Sequence, residues 1–594
     1  MRVGRFKPAR KSGCQTLGTK RSTMKKLFSI FIFFSLLTKF SADGQNTNNY
    51  WYFGNHAEIY FDSSGIHSTT GNVFAAEGTA SISNGCGLLF YTDGDTVWNK
   101  NHQMMINGFN IGGKCAAFNR SSSTQAALIV RQPTSDSIFY IFTTDCVEDL
   151  LVDGLRYSIV NMNLNAGFGE VILKNQPLFA NAEEKLTASK HSNGCDIWII
   201  SHEFTTNNFY SYLLTSTGLN LTPVISPAGQ IHQCNNPNYP NGRGYLKASP
   251  NGELLINVNP DAAYSYCDTT LPEVFNFNKL NGIITSSFVF PKDTDYWWSS
   301  YSAWTIPFYG ASFSPDNSKL YLSSGFYGPN LYQFNLNAGS PANIVASKTF
   351  LAYPYPFPFS PYNIPTSLVN APDGKMYVAQ RWRNYLGVIN NPDSLGLACN
   401  YVDSAFNLTN GTMNDWGGLP NFFEDYINAK TLKSNFSFST VGNTVNFTNN
   451  SLGAISYFWN FGDDSTSTLQ NPIHTYLGSG FFTVSLIARD SLCNIDKICY
   501  TIYISPTTGV IEIADNFHFT VFPNPFDNTI NIEFQLKDNF QLDLYNAMGQ
   551  KIKSFNIIDK QKTTIQLGDN LNSGIYFLQV KNKQFIATKK LTKQ

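Results

Sequence analysis

SISNGCGLLFYTDG, residues 81–94, decides the fold. A short strand of small and apolar residues runs into an Asn-Gly turn and returns as a more apolar strand, which is the pattern of a hairpin. It recurs as KHSNGCDIWIISHE (190–203), KASPNGELLINVN (247–259), FSPDNSKLYLSSG (313–325) and NAPDGKMYVAQ (370–380), with IVRQPTSDSIFYIFTTD (129–145) as a related unit. The repeats start near residues 78, 124, 185, 244, 309 and 365. A period of about 45–65 residues suits one four-stranded sheet per repeat, the blade of a β-propeller. Residues 45–430 are therefore predicted to form a propeller. Six starts plus a blade shared between both ends of the region give seven blades, with six or eight as the alternatives. WYFGNHAEIYF (51–61) is predicted to close the ring with the segment near 400–426.

The composition agrees with an all-β chain. Aromatics make up 15% and charged residues only 14%, and aromatic residues with Gly and Asn suit pleated sheets joined by tight turns. The 41 basic residues are balanced by 41 acidic ones. With no basic stripe, nucleic acid is excluded as a partner, because binding it requires a field that attracts phosphate.

LFSIFIFFSLL (27–37), preceded by Lys25 and Lys26 and ended by Lys39, is the one long apolar run. As a helix it rises about 16 Å, half of a hydrocarbon core of about 30 Å. With the small residues Ser41, Ala42 and Gly44 it predicts a signal peptide over 24–44, cleaved after Gly44 or after Ala42; an uncleaved anchor is the alternative. Met24 reads as a start, and residues 1–23 as a non-native extension. No transmembrane helix is predicted after cleavage.

The cysteines left by cleavage are odd in number, so an exported chain keeps at least one thiol. Cys493 and Cys499 flank SLCNIDKICY and are predicted to be bonded across a hairpin. The pairing of Cys86, Cys115, Cys146, Cys195, Cys234, Cys267 and Cys399 is not legible.

Chemistry-bearing motifs are scarce. There is no G-x-S-x-G elbow, and His202-Glu203 is followed by Phe204, Thr205 and Thr206 rather than completing H-E-x-x-H. No Cys/His spacing indicates zinc. His191, His202 and His232 fall in one part of the ring and read as hydrogen-bonded structure. Asp93, Asp95, Glu183, Glu184, Glu203 and Asp415 are the carboxylates a glycosidase would draw on, although sequence cannot show convergence; Asp93 and Asp95 read as turn residues. Tyr353–Tyr362, YPYPFPFSPY, reads as an extended loop whose aromatics pack on the blade or stack on sugars.

After residue 430 the rhythm changes. Residues 434–505 read as a small β-sandwich, 506–516 as a linker and 517–594 as a second one, both immunoglobulin-like. Trp459, Asn460, Phe461, Gly462, Asp463 and Asp464, with Asn471-Pro472, His474-Thr475-Tyr476, Gly480 and Thr483-Val484, resemble the polycystic-kidney-disease (PKD) domain. Trp459 is expected to fill the space between sheets, Gly462 to permit the turn and Asp463 to cap it; Asp464 stands where the family usually has Gly. Calcium at Asp463 and Asp464 is the weaker alternative to turn capping, since two carboxylates fall short of six to eight ligands. No other cofactor is expected.

Pro523-Asn524-Pro525, the turn from Tyr545 to Gly549-Gln550, Gly574-Ile575-Tyr576-Phe577 and the basic end with Lys589, Lys590 and Lys593 resemble the type A sorting domain of the type IX secretion system of Bacteroidetes. The resemblance implies handling by that machinery and a secreted or outer-membrane surface-attached protein. The expected function is non-catalytic binding or adhesion, the propeller presenting loops to an extracellular polysaccharide or protein and the PKD domain acting as spacer. The alternative is a secreted hydrolase acting on glycans or peptides at the channel.

Overall fold

The computed structural model describes residues 46–113, 115, 121–233, 242–260, 271–291, 308–325, 330–351, 364–409, 417–424, 432–504, 519–547, 549–567, 571–582 and 586–594. The signal segment, the 353–362 loop, the 506–516 linker, Cys234, Cys267 and Asp415 lie outside them.

The chain is all-β, and its first part is a seven-bladed propeller. Six blades begin with the strands Ala80–Asn84, Ala127–Arg131, Ala182–Lys190, Leu246–Ala248, Gly310–Phe313 and Pro365–Asn370, close to the six repeat starts. In each, three or more further strands follow antiparallel and outward. The remaining blade comes first in sequence and has only three strands, Tyr50–Phe53, Asn55–Asp62 and Gly65–Phe74. Its innermost position is taken by residues 417–424. Pro420 bridges Thr79 in parallel, Ser367 N–H donates to the Gly417 carbonyl, and Asn421 N–H donates to that of Thr79 at 2.8 Å. Leu419 and Phe422 complete the apolar core between Trp51, Phe53 and Ile59 and the last blade's Tyr377 and Leu386. This approach requires glycine: a Cβ at Gly418 would stand 1.9 Å from the Glu77 carbonyl oxygen. The ring is thus closed by both ends of the region, as the sequence predicts.

All inner strands start at one end of the ring, here the entry end. The turns from second to third strand lie at that end too, whereas the Asn-Gly turns from first to second strand lie at the far end.

Next comes a sandwich. Phe436–Val441, Thr444–Asn449 and Ile473–Thr475 form one sheet, and Ser456–Asn460, Thr466–Ser467, Gly480–Arg489 and Ile495–Ile504 the other. The last five strands, from Phe519–Phe522 to Ile586–Lys593, form one sheet. Its longest strand shifts register between Glu533 and Phe540, and the segments on either side share a core of Ile530, Ile532, Leu542, Leu544, Leu578 and Leu591.

The predicted Cys493–Cys499 bond is not formed. The structure pairs Cys86 with Cys499, Cys195 with Cys493 and Cys115 with Cys146. The connection between the last two sandwich strands is only Asp490–Asn494, and Cys499 lies four residues into Ile495–Ile504. At about 3.3 Å per residue that is about 13 Å along the strand, far beyond the 5.5–6 Å or so between bonded Cα atoms. Cys399 keeps a free, buried thiol.

Candidate functional site

Polar side chains fill the ring axis. Gln125, fully buried, ties three elements together: its Nε2 donates to the carbonyls of Leu186 at 2.9 Å and Leu246 at 3.2 Å and to Asn421 Oδ1 at 3.2 Å. Its Oε1 accepts from the N–H of Leu186 and of Leu246. Beside it Lys247 pairs with Glu424 at 3.4 Å, whose other oxygen accepts from Asn370 Nδ2.

At the entry end acids gather. Glu77 Oε1 accepts from Tyr309 OH at 2.6 Å. Glu184 accepts from Thr124 N–H and Oγ1 and from Val147 N–H. Burial pushes the Glu184 carboxyl up to about 8, with the nearby Glu148 adding and Arg243 opposing; burial and then Glu184 push Glu77 well above the carboxylate range. Both are sealed, at 0% and 1% exposure, so no solvent-borne substrate reaches them in this conformation. Of the six predicted carboxylates, only Glu184 joins this acid group among the described residues. Asp93 caps its turn through the N–H of Asp95 and Thr96, and Glu203 accepts from Thr206, Asn208 and Tyr210.

A register shift between Ala182 and Leu186 lets the adjacent Glu183 and Glu184 both be buried, each with its own partners. Glu183 meets Lys185 Nζ at 2.9 Å, His232 Nδ1 at 2.6 Å and His202 Nδ1 at 3.3 Å. Burial works against its ionisation, yet these neighbours hold it well below the usual range. Burial and the Lys185 charge push His232 down to about 4, against the pull of Glu183. At neutral pH His232 is therefore a neutral partner of the carboxylate, which Lys185 Nζ also contacts. His191 lies elsewhere, capping its own turn at Asn193.

In the first sandwich Trp459 is fully buried against Phe436 and Phe447, and its Nε1 donates to the Leu469 carbonyl. Phe461 stacks on His474 at 4.2 Å. Asp463 accepts from Ser465 N–H and holds His474 at 2.7 Å, so both its oxygens serve the turn. Gly462 and Asp464 have φ of 82° and 68°, the left-handed region.

In the last sheet Asn524 donates to the Lys590 carbonyl and accepts from Thr592 N–H, which fastens the Pro523-Asn524-Pro525 turn to the final strand. Tyr576 OH donates to Asn572 O; Gly549 and Gly574 have φ of 78° and 151°. Lys589 and Lys590 are exposed, whereas Lys593 is buried over Phe526, so the basic end is not uniformly presented.

Comparison with protein families matches residues 432–497 to the PKD domain and 520–594 to the secretion system C-terminal sorting domain. The chain carries a PKD domain and a type IX secretion sorting domain. It is thereby a secreted or outer-membrane surface-attached protein handled by that secretion system. Among the described residues no helix is long and apolar enough to cross a membrane. Collagenase ColA of Bacillus cereus is 57% identical over 37 residues, 6% of this chain and 4% of that protein's length. The PKD1 domain of the Vibrio cholerae metalloprotease PrtV is 28% identical, covering 13% of this chain and 98% of that one at a TM-score of 0.12. A streptogramin B lyase structure is 11% identical over 68% of this chain and 91% of that one, at a TM-score of 0.29.

The PKD domain is fixed to the far end of the ring. Its two disulfides reach the Asn-Gly-Cys turns of two blades, at Cys86 and Cys195. Gly85 bridges Ile498 in parallel. Arg131, on the blade between, donates to Ile495 O at 3.0 Å, and Lys190 Nζ donates to Asn494 Oδ1. On its other side the PKD domain meets the sorting domain, with Phe481 against Tyr545 and Phe577.

Proposed function

We propose that this is a non-catalytic binding or adhesion protein exported by a Bacteroidetes-type cell. Its propeller presents the entry face to an extracellular polysaccharide or protein. The PKD domain serves as a rigid bracket rather than a loose spacer. The observation that carries the reading is the double covalent attachment of the PKD domain to the far end, which leaves the opposite face outward. At that face the described outer strands end and the next inner strands begin, and propeller loops vary without disturbing the blades. It also bears Trp382, 54% exposed on the turn between Met376–Gln380 and Tyr385–Ile389, with Arg381 at 3.9 Å from its ring centroid. An indole held in that way suits stacking on a sugar or burial against a protein.

The test uses the purified secreted protein against soluble polysaccharides and surface proteins, with binding and product release measured together. Binding without change in ligand length, weakened about tenfold or more by Trp382→Ala, is expected. Products released by wild type and not by Glu184→Gln would establish the second reading, a hydrolase at the channel. What favours that reading is the gathering of Glu77 and Glu184 at the entry end; because both are sealed in this conformation, it also requires that end to open to a substrate.

A further inference from the structure

We propose that Glu183, His202 and His232 form a buried zinc site that fastens the 228–233 connection to its blade. The three come from separate stretches: the start of Ala182–Lys190, the strand Ile197–Glu203, and the connection after Val224–Pro227. Their ligand atoms, a carboxylate oxygen and two imidazole nitrogens, lie within 4.8 Å of one another, and the three residues are 0%, 1% and 3% exposed. Two imidazoles with a carboxylate are a zinc donor set, whereas calcium and magnesium take oxygen alone. Zinc bonds of about 2.0–2.2 Å put neighbouring ligand atoms about 3.4 Å apart. His232 and His202 stand at 2.6 and 3.3 Å from the carboxylate oxygens, so small rotations suffice.

A second observation is that His202 Nδ1 and Glu183 Oε2, both buried, lack a well-directed hydrogen bond: they face each other at 3.3 Å, with Lys185 Nζ 2.9 Å from the oxygen. Buried polar atoms are rarely left so, and an ion between them would satisfy both. Lys185 stands where a charged partner orients a ligating carboxylate, and it is also the cation with which zinc competes. With all three ligands sealed from substrate, the ion's role would be structural, a trapped water supplying the fourth tetrahedral ligand. The neighbouring group of Cys115, Cys146 and Glu148 offers no such site while its thiols are joined in a disulfide.

The test uses the whole secreted protein, stripped by chelator and reloaded. It should take up about one equivalent of Co2+ with the visible bands of tetrahedral coordination, and Zn2+ should displace it. Chelation should lower the thermal midpoint. His202→Asn and His232→Asn should each lose the equivalent, while His191→Asn keeps it. If folded wild type takes up none, Lys185 is the only cation that Glu183 accepts and the proposal fails. It fails equally if uptake is unchanged in both ligand variants. Should those variants not fold, X-ray absorption of the zinc-loaded wild type decides: two imidazoles in the first shell support the site, and fewer overturn it.

Discussion

Gln125 does with one side chain what the backbone cannot do across the axis. Replacing it with Leu would strand the N–H groups of Leu186 and Leu246, which both use its carbonyl, in a place water does not reach. At about 1–3 kcal/mol for each of the two stranded groups, Gln125→Leu is expected to cost on the order of 2–6 kcal/mol in denaturant unfolding. A loss under about 1 kcal/mol would show that the axis rearranges freely. Asp464 is the opposite case, a side chain where none is needed. Its φ of 68° explains why glycine is usual at this turn. Asp464→Gly should leave PKD stability within about 1 kcal/mol, since relieved strain offsets lost chain stiffness, while Asp464→Val should cost about 1–3 kcal/mol; equal midpoints for the two would remove the argument. The turn's role for Asp463 was legible because it depends on near neighbours. Gln125 was not, because its partners lie 61 to 296 residues away and nothing in SSSTQAALIV marks it. The same distance hid the grouping of Glu183, His202 and His232, which no linear metal motif describes.

Blade starts were legible as elements because each inner strand follows its own turn, and turn chemistry is local. Disulfides are not local, and the hairpin argument for Cys493 and Cys499 went astray by placing both in one short connection. A better signal stood in the repeats: Ser-Asn-Gly-Cys occurs at 83–86 and again at 192–195, two cysteines at equivalent turns with two more in the following domain. Non-reducing peptide mapping should recover Cys86 linked to Cys499 and Cys195 linked to Cys493; a Cys493–Cys499 peptide would contradict the docking described above. Converting both Cys195 and Cys493 to Ser should lower stability by about 2–4 kcal/mol and make the PKD domain easier to release by protease.

Across the whole molecule two outcomes are expected. The first concerns pH. Burial raises the Glu58 carboxyl to about 7, against the Tyr52 hydrogen bond that would lower it. A carboxyl raised on folding adds stability that is present below its unfolded value, near 4.5, and is lost as pH rises through the folded one. Wild type should therefore lose on the order of 2–3 kcal/mol relative to Glu58→Gln between about pH 4.5 and 7. Parallel curves for the two proteins would show that Glu58 titrates alike in both states. The second concerns export. Deleting 517–594 should leave a folded propeller–PKD fragment in the periplasm, followed by fractionation in a host that has the secretion machinery. Normal surface delivery of the truncated chain would reduce the sorting domain to a structural module.

The closing segment has a consequence in time. The first blade to leave the ribosome is the last to be finished, because its inner position waits for residues 417–424 and its neighbour's Cys86 waits for Cys499, 413 residues downstream. Contacts of such long range make folding slow. Until the C-terminal third of the chain has arrived, Trp51, Phe53 and Ile59 lack the cover of Leu419 and Phe422, and an incomplete ring offers unpaired strand edges to its neighbours. The chain therefore depends on being kept apart from other copies during its passage, and a stalled or truncated product is the form in which it would aggregate.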